Sequence, residues 1–337
     1  MIVTRKEVAR KAGVSTATVS RVLNKHQNVS DKTREKVLEI AKELDYKPNM
    51  MAKGLKTNRT YNLAFIIPDI TNSFYTQVYK GIYAYALSQG FISSLYEMRD
   101  EKLFEAIIRL RPDGVVLGAD VSVEIIKLLE DEGITVAAIS GIENELIKLK
   151  TKLNLYQATI DLIKSLKVMG HKNIAMLTYF NENDERYNGY IDGLKGAGLK
   201  YDSNYLITLQ DEGDHYLQGY TSMKNFLEKR GSKFIASKDK GDCITAALAY
   251  NDLVAIGAMK AIMEKGFKVP ADISIVGFDD SISASYSNPA LSTIAIPKYQ
   301  QGKIVAELLI KKINNEKVSS VEMGTEFIIR DSIKVMT

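Results

Sequence analysis

One cysteine, Cys243, three histidines and six prolines are all that 337 residues hold of these types. A lone thiol forms no internal disulfide, so a disulfide-stapled secreted fold is excluded and a reducing compartment is expected. His26, His171 and His215 are too scattered along the chain to suggest a metal site. With 6 Pro and 22 Gly the composition is neither collagen-like nor low-complexity. No apolar run approaches membrane-spanning length. The start, Met1-Ile2-Val3-Thr4-Arg5-Lys6, runs into charged sequence without an apolar signal region, so a cytoplasmic location is expected. There is no Walker A loop, no His-Glu-x-x-His, no Cys-x-x-Cys and no Gly-x-Ser-x-Gly. These absences argue against an enzyme, and no cofactor or metal is expected.

What is present is an uneven charge distribution. The net charge is only +4, from 45 Lys/Arg and 41 Asp/Glu. Residues 1–60 carry 14 Lys/Arg against 6 Asp/Glu, a balance of +8, and the rest of the chain carries 31 against 35, a balance of −4. A basic head on a mildly acidic body suggests a polyanion partner for the head alone. The chain is too long for one small domain.

The head reads as three short helices. Thr4 followed by Glu7 is a capping box opening a helix over residues 4–12, with Val8 and Ala12 on one face. Gly13 breaks it. Ser15 is an N-cap for a second helix to residue 23, with Val19, Val22 and Leu23 inward. Ser30 caps a third over residues 32–45. This is a helix-turn-helix unit. A helix fits the major groove and its N-terminal residues meet base edges. Those residues are Thr16, Ala17, Ser20 and Arg21, of which Arg21 alone can pair bidentately with guanine. Lys6, Lys25, Lys32 and Arg34 are placed to bind phosphates, which carry affinity without sequence information, and His26 sits in a loop suited to the same contact. Pro48 ends the helical run, Asn49 can cap a short segment over residues 50–56, and a polar linker follows.

The runs Val8-Ala9-Arg10-Lys11-Ala12-Gly13-Val14-Ser15 and Thr18-Val19-Ser20-Arg21-Val22-Leu23-Asn24 resemble the DNA-binding head of the lactose-repressor (LacI/GalR) family. So do Val29-Ser30, Thr33-Arg34, Tyr46-Lys47-Pro48-Asn49 and Ala52-Lys53-Gly54-Leu55. The resemblance covers nearly the whole chain. It implies a bacterial transcription regulator, most simply a repressor, acting as a homodimer on a pseudo-palindromic double-stranded DNA operator. It extends the DNA-contacting set to Thr4, Ser15, Thr18, Asn24, Asn49, Ala52, Lys53 and Leu55. It also implies that the segment after Pro48 is a hinge helix formed only on DNA, with Leu55 wedged into the minor groove. Seven residues are too few to be helical alone in water, which is compatible with a context-dependent hinge.

From residue 61 apolar runs alternate with helical patterns, in two series. That alternation argues for doubly wound parallel sheets in two similar lobes, with a tail helix over residues 298–313 and a last strand over 322–329. The resemblance implies a two-lobed, periplasmic-binding-protein-like α/β body. The expected division is a head and hinge at 1–60 and a body at 61–337. Lobe 1 is expected at about 61–154 and 288–318, and lobe 2 at about 155–287 and 319–337.

Ligands of such sheets bind beyond the carboxyl ends of the strands. That rule selects Asp69, Asn72, Phe74 and Tyr75, then Gly118 and Asp120, then residues 179–186, then Asn251 and Asp252, and Asp279. Carboxylates, amides, an arginine and aromatic faces suit a polyhydroxylated ligand such as a sugar or sugar phosphate. The family resemblance singles out Arg186 in Arg-Tyr-Asn-Gly-Tyr, Asn251 in Tyr-Asn-Asp and Asp279 in Gly-Phe-Asp-Asp as effector contacts. Structural roles compete: Asn251 or Asp252 as helix cap, Asp279 in a turn, Arg186 in a surface pair with Asp184 or Glu185.

Met169-Gly170-His171-Lys172-Asn173-Ile174-Ala175 is similar to the catabolite control protein A branch of that family. The branch implies a phosphorylated carrier protein as co-repressor, bound through arginines, one of them in the tail helix. Here Glu307 stands where that arginine would be wanted, and an acid facing a phosphate is repulsive. A small-molecule effector is therefore expected instead. Asn154 replaces a usual Asp, and residues 97–105 look shortened, so contacts from that stretch are not carried over. A solute-binding protein shares the body but needs an export signal and no head. A sugar kinase with a DNA-binding head needs a phosphate loop or catalytic base. Cys243 precedes a buried strand and is expected to be inert.

Overall fold

The structure is a computed structural model. It describes residues 3–23, 28–47, 54, 57–142, 144–179, 181, 183–210, 214–230 and 243–336. The chain divides into two compact units, Met1–Tyr61 and Asn62–Thr337.

In the first unit local signals set the helices. Helix α1 (Arg5–Ala12) begins at Thr4, whose N–H and hydroxyl donate to the Glu7 carboxylate at 2.6 and 2.9 Å. Gly13, at φ 65, turns the chain, and the Val14 N–H closes on the Ala9 carbonyl at 3.1 Å. Helix α2 (Thr16–Leu23) is capped by Ser15, whose Oγ accepts from the Thr18 N–H at 3.1 Å. Helix α3 (Asp31–Glu43) is capped by Ser30. The apolar stripes of all three meet in a core of Val8, Ala9, Ala12, Val19, Val22, Val37 and Ala41.

The second unit holds two large sheets. Strands β1 (Asn62–Ile67), β2 (Ile92–Glu97), β3 (Gly114–Leu117) and β4 (Thr135–Ala138) form a parallel sheet in the order β2-β1-β3-β4. Its helices are α4 (Ser73–Ser88), α5 (Leu103–Leu110) and α6 (Val123–Asp131). After β5 (Thr151–Leu153) the chain forms α7 (Leu155–Val168), β6 (Ile174–Thr178), α8 (Glu185–Gly196), β7 (Leu206–Thr208), α9 (His215–Arg230), β8 (Ala246–Ala249), α10 (Asp252–Glu264), β9 (Ser274–Asp279), α11 (Ile282–Tyr286) and β10 (Ser292–Ala295). Helix α12 (Lys298–Ile313), β11 (Val321–Met323) and β12 (Glu326–Ile328) complete it. The second sheet runs β12-β10-β9-β8-β6-β7, parallel except for β12. The central strands β1, β3, β6 and β8 are buried almost throughout and read as continuous apolar runs, while the edge strands β2, β7 and β12 are partly exposed.

Two expectations are corrected. The single last strand is two: β11 pairs with β5 in a small parallel ribbon, and β12 pairs antiparallel with β10. The start of the returning lobe-1 segment, expected near residue 288, is also wrong. Strand β10 lies beside β9 in the second sheet, so the chain crosses at Ile296–Lys298, and α12 returns to pack on α4 before β11 pairs with β5. Ser292 and Thr293 are polar but fully buried: the Ser332 hydroxyl accepts from the Ser292 N–H at 2.8 Å, and the Thr293 hydroxyl donates to Asp252 at 2.6 Å. The α4–α12 contact needs glycine: a Cβ on Gly302 would sit 1.9 Å from the Val78 carbonyl oxygen, and one on Gly81 would sit 2.0 Å from that of Tyr299.

The strand orders place the site. Neighbours of β1 lie on opposite sides, β2 and β3, and neighbours of β6 are β7 and β8. Each is a topological switch point where the loops beyond the carboxyl ends part and leave a crevice.

Candidate functional site

A cavity of about 670 Å³ lies at those crevices, walled by loops of both sheets. Asp69, Asn72, Phe74, Tyr75, Arg186, Asn251 and Asp279 all line it, as do Gly118, Asp120 and Tyr179.

On the first sheet's side the loop after β1 delivers four of them. Asp69 accepts the N–H and hydroxyl of Thr71 at 2.8 and 2.6 Å, which folds the loop. Asn72 is buried and caps α4, its Oδ1 accepting the Phe74 N–H at 3.0 Å. Phe74 and Tyr75 then enter the cavity edge to face, 5.2 Å between centroids. Burial raises the Tyr75 phenol well above its usual range, so it stays protonated as a donor.

On the second sheet's side Arg186 is the centre. It opens α8, which Asp184 caps. Its Nε and Nη2 donate to the Asp184 carboxylate at 3.2 and 2.8 Å, its Nη1 donates to the Tyr250 carbonyl at 3.0 Å, and its guanidinium lies 3.6 Å over the Tyr250 ring. The pair expected on the surface is therefore largely buried, with 14% and 11% of its side chains exposed. Burial alone would push Asp184 up, but the Arg186 charge and the hydrogen bonds hold its carboxyl below the usual range. Three of five guanidinium N–H groups are used here, so donors remain for a ligand.

Around Arg186 stand Tyr250, Tyr179 and His215, the tyrosines edge to face at 4.8 Å and His215 6.1 Å from Tyr250. The Tyr179 hydroxyl donates to Gln218. Asn251 does both things the sequence allowed: its Oδ1 caps α10 through the Val254 N–H at 2.9 Å, and its amide nitrogen meets His215 Nδ1 at 2.5 Å on the cavity wall. Asp279 ends β9 at φ 113, a strained backbone, and Asp280 follows at φ 54. Their carbonyls are gathered on the Lys298 ammonium, at 2.9 Å for Asp280. Burial, then the Asp252 charge, push the Asp279 carboxyl well above the usual range. Asp252 is fully buried and lies outside the cavity lining; it holds the Ser281 N–H and the Thr293 hydroxyl, both at 2.6 Å, and so has a structural role.

Several lining residues escaped the sequence reading. Tyr250 and Glu97 close β8 and β2, where the strand-end rule would have found them, and Met98 follows. Glu97 and Met98 belong to the stretch whose contacts were set aside as shortened. His215, dismissed as scattered, and Gln218 share one face at the start of α9, and their spacing of three was the available signal. His171 is tied into the body differently: buried, it bonds Thr245 and the Lys334 carbonyl at 3.1 Å each. Cys243 is buried. Among the described residues no cluster of His, Cys, Asp and Glu could hold a metal ion, and no helix is long and apolar enough to cross a membrane.

In the head, Ser15, Thr16, Ala17 and Arg21 are exposed along the outer side of α2, Thr18 and Ser20 are half-buried, and Val19 and Val22 face the core. Thr4 and Lys6 are exposed at the start of α1. Asn24, His26, Asn49, Ala52, Lys53 and Leu55 lie outside the described residues.

A helix-turn-helix reader and a two-lobed body with a ligand-sized cavity define a ligand-controlled DNA-binding protein. Residues 4–49 match the model for bacterial regulatory proteins of the lacI family, and residues 163–333 match the periplasmic binding protein-like domain. Catabolite control protein A of Priestia megaterium is 31% identical over 99% of this chain and 100% of its own length. Among solved structures, a lac repressor dimer bound to operator and the anti-inducer ONPF superposes with a TM-score of 0.78 at 25% identity, covering 99% of this chain and 100% of that one. A complex of the transcriptional regulator CelR with cellobiose gives 0.69 at 26% identity, over 98% and 99%. The chain belongs to the lacI family of bacterial transcriptional regulators. It is a DNA-binding regulator controlled by a small-molecule effector, and not an enzyme.

Proposed function

We propose that the protein is a repressor that binds a pseudo-palindromic operator as a homodimer and releases or tightens it when a sugar or sugar derivative enters the body cavity. The carrying observation is that cavity: both sheets contribute to its walls, and its polar groups are amides, carboxylates and one oriented guanidinium between aromatic faces. Sugar hydroxyls both donate and accept, and sugar ring faces stack on Phe or Tyr. The cellobiose held by the CelR neighbour supports this reading. Residues 1–60 act as reader and 61–337 as sensor, in the bacterial cytoplasm where the operator is.

Two subunits are needed because one head reads one half-site. In the reader, Thr16, Ala17, Ser20 and Arg21 face base edges, and Thr4, Lys6, Ser15 and Thr18 position the helix on the backbone. Asn24, His26, Asn49, Ala52, Lys53 and Leu55 complete the DNA-contacting set. In the sensor, Asp69, Asn72, Phe74, Tyr75, Arg186, Asn251 and Asp279 contact the effector. Ligand spanning both lobes changes their relative orientation, and the coupling to DNA affinity is about 1–3 kcal/mol, the same in both directions. A phosphorylated carrier protein is disfavoured as effector: Glu307, paired with Lys311 at 2.6 Å, puts a carboxylate on α12 where an arginine would be wanted.

The test is selection of bound duplexes from a random pool, followed by affinity measurements with and without sugars. A symmetric consensus and a sugar-dependent affinity are expected. Arg186→Ala and Asp279→Ala should bind the consensus normally and lose the sugar response. An asymmetric consensus would overturn the dimeric reading, and an intact response in both variants would overturn the pocket.

A further inference from the structure

The charge of the cavity wall narrows the ligand class, on the reading that the effector is a sugar. Its lining carries five carboxyl groups, Asp69, Glu97, Asp120, Asp214 and Asp279, of which Glu97 is paired with the exposed Arg99 at 3.6 Å. Among the described lining residues the basic groups are Arg186 and His215, and neither offers a charge to an anion.

The Arg186 charge is met by the Asp184 carboxylate at 2.8 Å and its face is covered by the Tyr250 ring at 3.6 Å. The state of His215 follows from its partner. Asn251 Oδ1 is committed to the Val254 N–H at 2.9 Å, so the atom 2.5 Å from His215 Nδ1 is the amide nitrogen. An amide nitrogen only donates, hence Nδ1 accepts, and the ring is neutral with its proton on Nε2. Burial lowers the imidazole's basicity in the same direction. Lys298 has its ammonium on the carbonyls of Asp279, Asp280 and Ile296 and is not part of the wall. The most buried polar side chains that line the cavity, Asn72, Asn251 and Gln218, are all amides.

We propose that the cavity selects a neutral polyhydroxylated ligand and rejects its phosphorylated or carboxylated counterparts. Hydroxyl groups donate to the carboxylates and accept from the amides and the remaining guanidinium N–H groups. A phosphate or uronate would give up its hydration and face like charge with no unmatched cation. This excludes the sugar phosphates that the sequence alone left open.

Calorimetric titration of the full-length protein with matched probes tests the inference: glucose, galactose and cellobiose against glucose 6-phosphate, galactose 6-phosphate and galacturonate, at low ionic strength. A neutral sugar should bind at least about 100-fold more tightly than its charged counterpart, the spread expected from unmatched like charge in a site. Asp120→Asn combined with Asp214→Asn, both exposed positions, should narrow that ratio about tenfold, and salt should narrow it too. A charged member binding as tightly as its neutral parent would overturn the charge selection and leave the sugar reading standing. A ratio unmoved by the double substitution would overturn its electrostatic cause. Binding by no sugar of either kind would overturn the sugar reading, and this inference with it.

Discussion

Replacing Arg186 by Ala tests the cavity in both stability and response. The substitution removes two hydrogen bonds to Asp184, one to the Tyr250 carbonyl, and a guanidinium stacked at 3.6 Å. Hydrogen bonds to charged groups contribute about 1.5–3 kcal/mol, and a buried ion pair that loses one partner costs about 3–5 kcal/mol. Asp184 keeps two backbone partners, the N–H groups of Arg186 and Tyr187 at 2.8 and 3.3 Å, so the lower figures apply. We expect a loss of about 3 kcal/mol, or roughly 6–10 °C in Tm for a body of this size. Adding Asp184→Asn should restore about half, because the orphaned charge is then gone.

The pH dependence has a defined sign. Asp184 has a lowered folded pKa, so its contribution is full above the unfolded value and fades as pH falls through the folded one. Arg186→Ala should flatten that acid limb. Scanning calorimetry and urea melts at several pH values read the stability, and operator affinity with and without effector reads the response. A loss below about 1 kcal/mol, or no recovery in the double variant, would refute the buried-pair argument.

Four further predictions concern other parts of the chain. Gly302→Ala should destabilise the body by about 3 kcal/mol, because its Cβ meets the Val78 carbonyl. Gly196→Ala, in a helix with nothing within 4 Å, should stabilise by about 0.5–1 kcal/mol, and urea midpoints compare the two. Asp279 has a raised folded pKa, so its contribution is full at low pH and lost as pH rises through that value. Asp279→Asn should therefore flatten the fall in stability towards neutral and alkaline pH, and an unchanged profile would refute the assigned burial. Arg21→Ala should cost about 1–3 kcal/mol per half-site and relax one symmetric base pair; a loss equal on all sequences would move Arg21 to the phosphates.

The sequence by itself determined the head, because its cues are local. Thr4 with Glu7, Gly13, Ser15 and Ser30 act within one turn of their helices, and a short capped helix shows its boundaries in its own residues. It also determined the alternation of strands and helices, and through the strand-end rule nine polar and aromatic residues that line one cavity. Only the tertiary structure decided what depends on distant partners. Ser292 and Thr293 became a buried strand because Ser332 and Asp252 supply their hydrogen bonds from 40 and 41 residues away. Of the neighbouring residues Asn251 and Asp252, one faces the cavity and the other the core. His215 entered the wall through a helix start placed opposite Asn251, 36 residues on. Arg186 became a buried guanidinium only when Tyr250, 64 residues on, was folded beneath it. A local pattern records which face of an element is apolar; which loops converge beyond two switch points is set by packing the whole sheet.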